Sequence, residues 1–146
     1  MGRKKNAEVI IDTASPHTIK KFELIEEYVS TWAQKLLNFN KCNGIVFIDC
    51  MCNSGVYKSH EGNEIFGTPI RISNLLFEVM KKYPQKQAHL CFNDLSAEKI
   101  SILKTYLPPN TTNFNIETYA GDGNDLYKNY CWKIPQIYKY ELLAYL

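Results

Sequence analysis

The stretch Gly44-Ile45-Val46-Phe47-Ile48-Asp49-Cys50-Met51-Cys52-Asn53-Ser54-Gly55 ends an apolar run on an acid and then enters a short polar turn. Ile45 to Ile48 are branched or aromatic and continuous rather than alternating, which predicts a strand covered on both faces, as in a parallel sheet. Asp49 falls at its carboxyl end, the edge where open α/β sheets bind ligands. The turn has neither the glycine spacing of a dinucleotide fingerprint nor the Lys-Ser/Thr ending of a phosphate-binding loop. It suits instead a loop that lets a nucleoside-bearing ligand approach the backbone. Asn tolerates positive φ better than any residue except glycine, so Asn53 is expected to hold a left-handed conformation where a glycine would otherwise stand.

Upstream, Ser15-Pro16 reads as an N-cap followed by the proline favoured at the first helical position. Ile19, Phe22, Ile25, Val29, Trp32 and Leu36 then recur at helical spacing and predict a long amphipathic helix ending near residues 38–41. Residues 1–14 read as a flexible basic tail, fraying or adding a short edge element, and residues 15–146 as one domain. Downstream, residues 50–67 form a long connection, with Gly55, Gly62 and Gly67 among Lys58, His60, Glu61 and Glu64; connections of that length tend to be functional or disordered. Thr68-Pro69 repeats the cap-and-proline start of a helix whose apolar face is Ile72, Leu75, Leu76, Val79 and Met80.

Residues 88–92 predict a second strand ending in Asn93-Asp94, and Ser96 caps a third helix bearing Ile100, Leu103 and Leu107. Phe114, Ile116 and Thr118 make a third strand that runs into Gly121-Asp122-Gly123. A short helix over 126–132, a tyrosine-rich link over 134–140 and a fourth strand over 142–146 complete the reading. The alternation argues for a Rossmann-like, doubly wound parallel α/β sheet with an N-terminal helix, truncated after its fourth strand and so incomplete at the C-terminus.

The 146 residues are 45% hydrophobic and carry a net charge of +2, which excludes a disordered chain and the dense basic stripe of a typical nucleic-acid binder. The excess lies in Arg3-Lys4-Lys5 and its neighbours, the one feature leaning toward nucleic acid. Five cysteines without paired spacing, and no run apolar enough to span a membrane, predict reduced thiols and a cytoplasmic location. Cys50 and Cys52 amount to half a zinc shell, so no metal is expected. His17 reads as a surface residue, and His60, which shares the long connection with Glu61 and Glu64, has a catalytic or ligand role only as its minor alternative.

Asp49, Asp94 and Asp122 follow three successive strands and so fall in a row along one sheet edge. Singly, each has a plainer role, as a loop start, a residue before the Ser96 cap or a turn residue. Together they suit an adenosine ligand, which offers a base amino group, ribose hydroxyls and, in S-adenosylmethionine, an ammonium to acceptor-only carboxylates. Asp94 is expected to take the ribose, Asp122 with Gly121 and Gly123 the adenine edge, and the loop from Asp49 through Cys50, Met51, Cys52 and Asn53 to Gly55 the methionine part. As an exposed strand-end acid, Asp94 is expected to add little to folding.

Phe47-Ile48-Asp49 followed by Met51-Cys52-Asn53-Ser54-Gly55-Val56-Tyr57, and then Gly67-Thr68-Pro69-Ile70, resembles the three-Cys-motif partner proteins, a bacterial and phage-associated family. There the strand leads into a stretch like Asp-Leu-Phe-Ala-Gly-Pro-Gly-x-Tyr and then Gly-Ser-Pro-Leu. Here Asn53 stands in place of the first glycine and Ser54 in place of the proline. The resemblance implies a class I methyltransferase-like transferase fold, S-adenosylmethionine as cofactor and a three-Cys-motif protein as partner. The alternative is an inactive Rossmann-like interaction module working with a partner protein.

Overall fold

The computed structural model describes residues 11–126, 128 and, as backbone alone, 141–145. The tail over 1–10, the link over 134–140 and most of the helix expected over 126–132 lie outside the described residues.

In chain order the elements are β1 (Asp12–Thr13), α1 (Pro16–Leu37), β2 (Gly44–Asp49), β3 (Val56–Lys58), β4 (Glu64–Phe66), α2 (Thr68–Met80), β5 (Gln87–Asp94), α3 (Ala97–Lys104), β6 (Phe114–Ala120), α4 (Gly123–Leu126) and β7 (Glu141–Tyr145). Four strands make the main sheet in the order β6-β5-β2-β7, every pair parallel. With the strands of that sheet numbered by sequence the order is 3-2-1-4, a doubly wound arrangement whose order reverses at β2.

All six residues of β2 are buried. Its side chains alternate between faces, as strand geometry requires. Ile45 and Phe47 enter the larger core with Val29, Ala33 and Leu37 of α1, residues of α2, and Ile100 and Leu103 of α3. Val46 and Ile48 join a smaller cluster with Cys50, Cys91, Tyr119 and Leu126. Burying one such aliphatic side chain contributes about 1.5–3 kcal/mol.

The helix starts are local chemistry. Ser15 Oγ accepts the Thr18 N–H at 3.2 Å, with Pro16 opening α1, and Ser96 Oγ accepts the Lys99 N–H at 3.2 Å to open α3. At α2 the cap is Gly67 rather than Thr68, which is already the first helical residue.

The connection over residues 50–67 is only partly loop. Its second half folds as an antiparallel hairpin, β3 with β4, around a turn over residues 59–62, and β1 adds to β3 in parallel to make a small second sheet. Alternating Val56-Tyr57-Lys58 and Glu64-Ile65-Phe66 on either side of Gly62 carry that signal. His60 is exposed in the hairpin turn. Ala14 is buried, so the folded body takes in Asp12–Thr13 and Ala14 ahead of the first helix.

Gly55 turns the chain from the strand-end loop into the hairpin with φ +77°, and a Cβ there would lie 2.9 Å from Ile70 Cγ1 and 3.0 Å from Pro69 Cγ. Gly62 has φ +84° but nothing within 4 Å of the added atom. Gly62→Ala should therefore cost only the left-handed backbone penalty, about 1–2 kcal/mol. Gly55→Ala should cost that plus overpacking, about 2–5 kcal/mol in all. Chemical denaturation of the two variants checks the difference, and equal losses would mean that Ile70 yields to the new methyl.

Candidate functional site at the strand ends

The carboxyl ends of β2, β5 and β6 are neighbours, and the register sets their acids in a staggered row. Asp49 lies opposite Phe92, and Asp94, two residues further along β5, lies opposite Ala120 of β6. Asp122 follows two residues after Ala120.

Asp49 is only 2% exposed, and its Oδ1 accepts the Met51 N–H at 3.1 Å. Burial raises its pKa to about 7; the Met51 N–H opposes that shift, the Asp94 charge adds to it, and Lys21 lowers it. The carboxyl thus serves as the inner hinge of its own turn. Cys50 and Cys52 are buried beside it, and burial pushes both thiols up, which makes them poor nucleophiles and poor ligands. Among the described residues no group of three or more His, Cys, Asp or Glu side chains is placed to hold a metal ion.

The loop turns outward at Met51, which is 71% exposed, and then passes through Asn53, whose φ is +60°. Three bonds hold Asn53 there. Its N–H donates to Asp94 Oδ1 at 3.0 Å, its Oδ1 accepts the Ser54 N–H at 2.6 Å, and its Nδ2 donates to Asp12 Oδ2 at 2.7 Å. Gly55 lies buried behind the loop, and its carbonyl accepts the Gly67 N–H at 2.7 Å.

Asp94 is half-buried and anchored on both oxygens: Oδ1 takes the Asn53 N–H, and Oδ2 takes the Ser96 N–H at 2.9 Å, just ahead of α3. This corrects the expectation of little effect on folding, because hydrogen bonds to a charged group contribute about 1.5–3 kcal/mol each. Leu95, next in sequence, is 80% exposed. The Gly121 N–H donates to the Asp94 carbonyl at 3.0 Å, and Asp122 is exposed, its Oδ1 accepting the Asn124 N–H at 2.8 Å. Gly123 packs against the loop after β2, where a Cβ would lie 2.8 Å from the Cys50 carbonyl oxygen.

The structure therefore brings Asp49, Cys50, Met51, Cys52, Asn53, Asp94 and Gly121 into one bonded cluster, with Asp122 at its rim. Of these, Met51, Asn53, Asp94 and Asp122 reach the surface, whereas Asp49, Cys50 and Cys52 do not. Two members were missed in the sequence. Asn93, 1% exposed, donates from Nδ2 to the carbonyls of Cys50 at 3.1 Å and Gly121 at 2.9 Å. A polar residue ending an apolar run, one place before an acid, was its signal. Asp12 had none, because its partner Asn53 is 41 residues away. A separate cleft of about 780 Å³ lies between α1, α2 and β4, lined by Glu26, Glu64, Phe66, Arg71 and Leu75 among others; no strand-end residue borders it. No described helix is long and apolar enough to cross a membrane.

No family model matches the chain, and no curated protein does. Among solved structures, a loganic acid methyltransferase with S-adenosylhomocysteine aligns at a TM-score of 0.46 and 17% identity, over 72% of this chain and 29% of that one. The chain thus spans less than a third of that protein's length, and a likeness of that degree carries no argument about chemistry.

The Asp49 value lies above that of an aspartate in an unfolded chain, which is about 4. Between about pH 4 and pH 7 the unfolded chain has lost a proton that the folded chain keeps, so this group's stabilisation falls as pH rises through that window and is flat above it. The span is worth about 4 kcal/mol. Asp49→Asn keeps an oxygen for the Met51 N–H and should lack this slope, matching the wild type near pH 4 and exceeding its stability at pH 8. Denaturation curves across that range check it; parallel pH profiles for the two proteins would mean that Asp49 titrates as an ordinary carboxylate.

Proposed function

We propose that the chain is an S-adenosylmethionine-binding domain of the methyltransferase type, with the ligand lying across the ends of β2, β5 and β6. The observation that carries this reading is Asp94. It stands at the tip of the longest strand of the sheet, at the edge where doubly wound sheets take ligands, and each of its oxygens accepts one backbone N–H. A carboxylate offers about four acceptor positions, so two are left for the paired hydroxyls of a ribose. Leu95 beside it presents an apolar surface of the kind a flat base covers. Asp122 and the Gly121 backbone are assigned to the edge of the base, and Met51 to Asn53 to the remainder of the ligand.

The residues fit such a group, because the acceptors are anchored before the ligand arrives and little ordering is needed on binding. Bound S-adenosylmethionine supplies an electrophilic methyl group on a sulfonium sulfur. The chain's own part is to orient the ligand and hold it still, which lowers a transfer barrier by proximity.

A second reading has a specific observation in its favour. All three acids already accept backbone N–H groups, from Met51, from Asn53 and Ser96, and from Asn124, as they would in a purely architectural strand end. In that case the domain is an interaction module that works by pairing with a protein, a three-Cys-motif protein being the partner the sequence resemblance implies.

Thermal unfolding with S-adenosylhomocysteine separates the two readings. Ligand at a hundred times its dissociation constant stabilises by about 2.7 kcal/mol, which should raise the midpoint of a domain this size by about 5–10 °C. Asp94→Asn retains an oxygen for one backbone N–H but loses the charge, and should lose most of that rise. A cooperative transition that ligand does not move would favour the interaction module.

A further inference from the structure

We propose that Asp12, on the edge strand β1, is a positioning residue for the ligand-facing loop and acts through the side chain of Asn53; the inference rests on the S-adenosylmethionine reading. Asn53 is a non-glycine residue in the left-handed region, which its backbone disfavours. Of its three bonds, one is internal to the turn and one goes to the neighbouring strand end at Asp94. The third, from Nδ2 to Asp12 Oδ2 at 2.7 Å, is the one that reaches outside the strand-end cluster.

Asp12 is itself fixed from two sides. Its backbone pairs with Tyr57, in the strand that leaves the loop through Gly55. Its Oδ2 lies 3.7 Å from Lys99 Nζ on α3, with side chains 46% and 25% exposed respectively. The lysine thus pairs with the carboxylate that accepts from the Asn53 side chain, while Asp94 accepts from its N–H. The result is a chain of contacts from Lys99 through Asp12 and Asn53 to Asp94, joining α3, β1, the loop and the tip of β5. With Asp12 removed, the bond that ties the Asn53 side chain to an element outside the cluster among the described residues is gone. Its backbone is then free to relax toward negative φ, which takes its N–H away from Asp94 and spoils a preorganised surface.

Isothermal titration of S-adenosylhomocysteine into the wild type, Asp12→Ala, Asp12→Asn, Asn53→Gly and the double variant Asp12→Ala/Asn53→Gly tests this. Asp12→Ala should weaken binding about tenfold while moving the ligand-free midpoint by no more than about 2 °C. Asp12→Asn, which still offers an oxygen to Asn53 Nδ2, should restore most of the affinity. Glycine adopts positive φ unaided, so in the Asn53→Gly background the Asp12→Ala change should cost less than about twofold. Wild-type affinity in Asp12→Ala, an undiminished loss in the glycine background, or failure of Asp12→Asn to rescue would each overturn the role. If the wild type itself binds no S-adenosylhomocysteine, the ligand reading falls. Hydrogen exchange at the Asn53 amide then decides the contact: faster exchange in Asp12→Ala supports it, and unchanged exchange overturns it.

Discussion

The side-chain amide of Asn93, buried at the end of β5, holds together three backbone segments that would otherwise diverge where their strands stop. Its Nδ2 donates to the carbonyls of Cys50, after β2, and Gly121, after β6, while the backbone carbonyl of Asn93 accepts the Cys52 N–H at 2.8 Å. A buried carbonyl left without a donor costs about 1–3 kcal/mol, and the amide removes that penalty at Cys50 while also bonding the part-buried carbonyl of Gly121. Parallel strands lose their ladder partners at their ends, and here a side chain bonds two of the carbonyls beyond them. The main sheet therefore ends in an ordered rim, and the positions of Asp49, Asp94 and Gly121 follow from it.

On that rim the carboxylates have divided duties. Asp49 is turned inward, and its raised pKa reflects that burial before anything else, so its worth to the fold depends on being neutral. Asp94 is half-exposed at the tip of β5, and its two oxygens brace the loop and the start of α3 together. The same acid type in the same place on neighbouring strands thus has two different chemistries, and the two-residue stagger of the strand ends decides which is which.

Most of the helices and the main sheet were legible because their signals are local. The continuous apolar run of β2, the caps at Ser15 and Ser96 and the positive φ at Asn53 all follow from a few adjacent residues, and each stands where that reasoning put it. The hairpin within residues 50–67 was missed because its strands are three residues each and its glycines read equally well as loop. The choice of Gly67 over Thr68 as cap was missed because both precede Pro69, and a cap is decided by backbone dihedrals. At the site, the acids could be read as a row, but which of them faces outward could not. That depends on register between strands about 40 residues apart, and so does the link from Asp12 to Asn53.

The loop after β2 is where these distant contacts converge, and this ties its conformation to several elements of the domain at once. The Cys52 N–H is held by β5, the Asn53 N–H by Asp94, its side chain by β1, and the Gly55 carbonyl by the Gly67 N–H at the start of α2. Three elements, β5, β1 and the start of α2, thus meet at Cys52, Asn53 and Gly55 within one short stretch of chain. A ligand that needs this loop in one conformation therefore selects against every partly opened state in which β1, the hairpin or α2 has come loose. The bonds to β5 and α2 belong to the body of the fold, whereas the one to Asp12 sits at an exposed edge, so its loss disturbs the shape of the loop more than the stability of the domain.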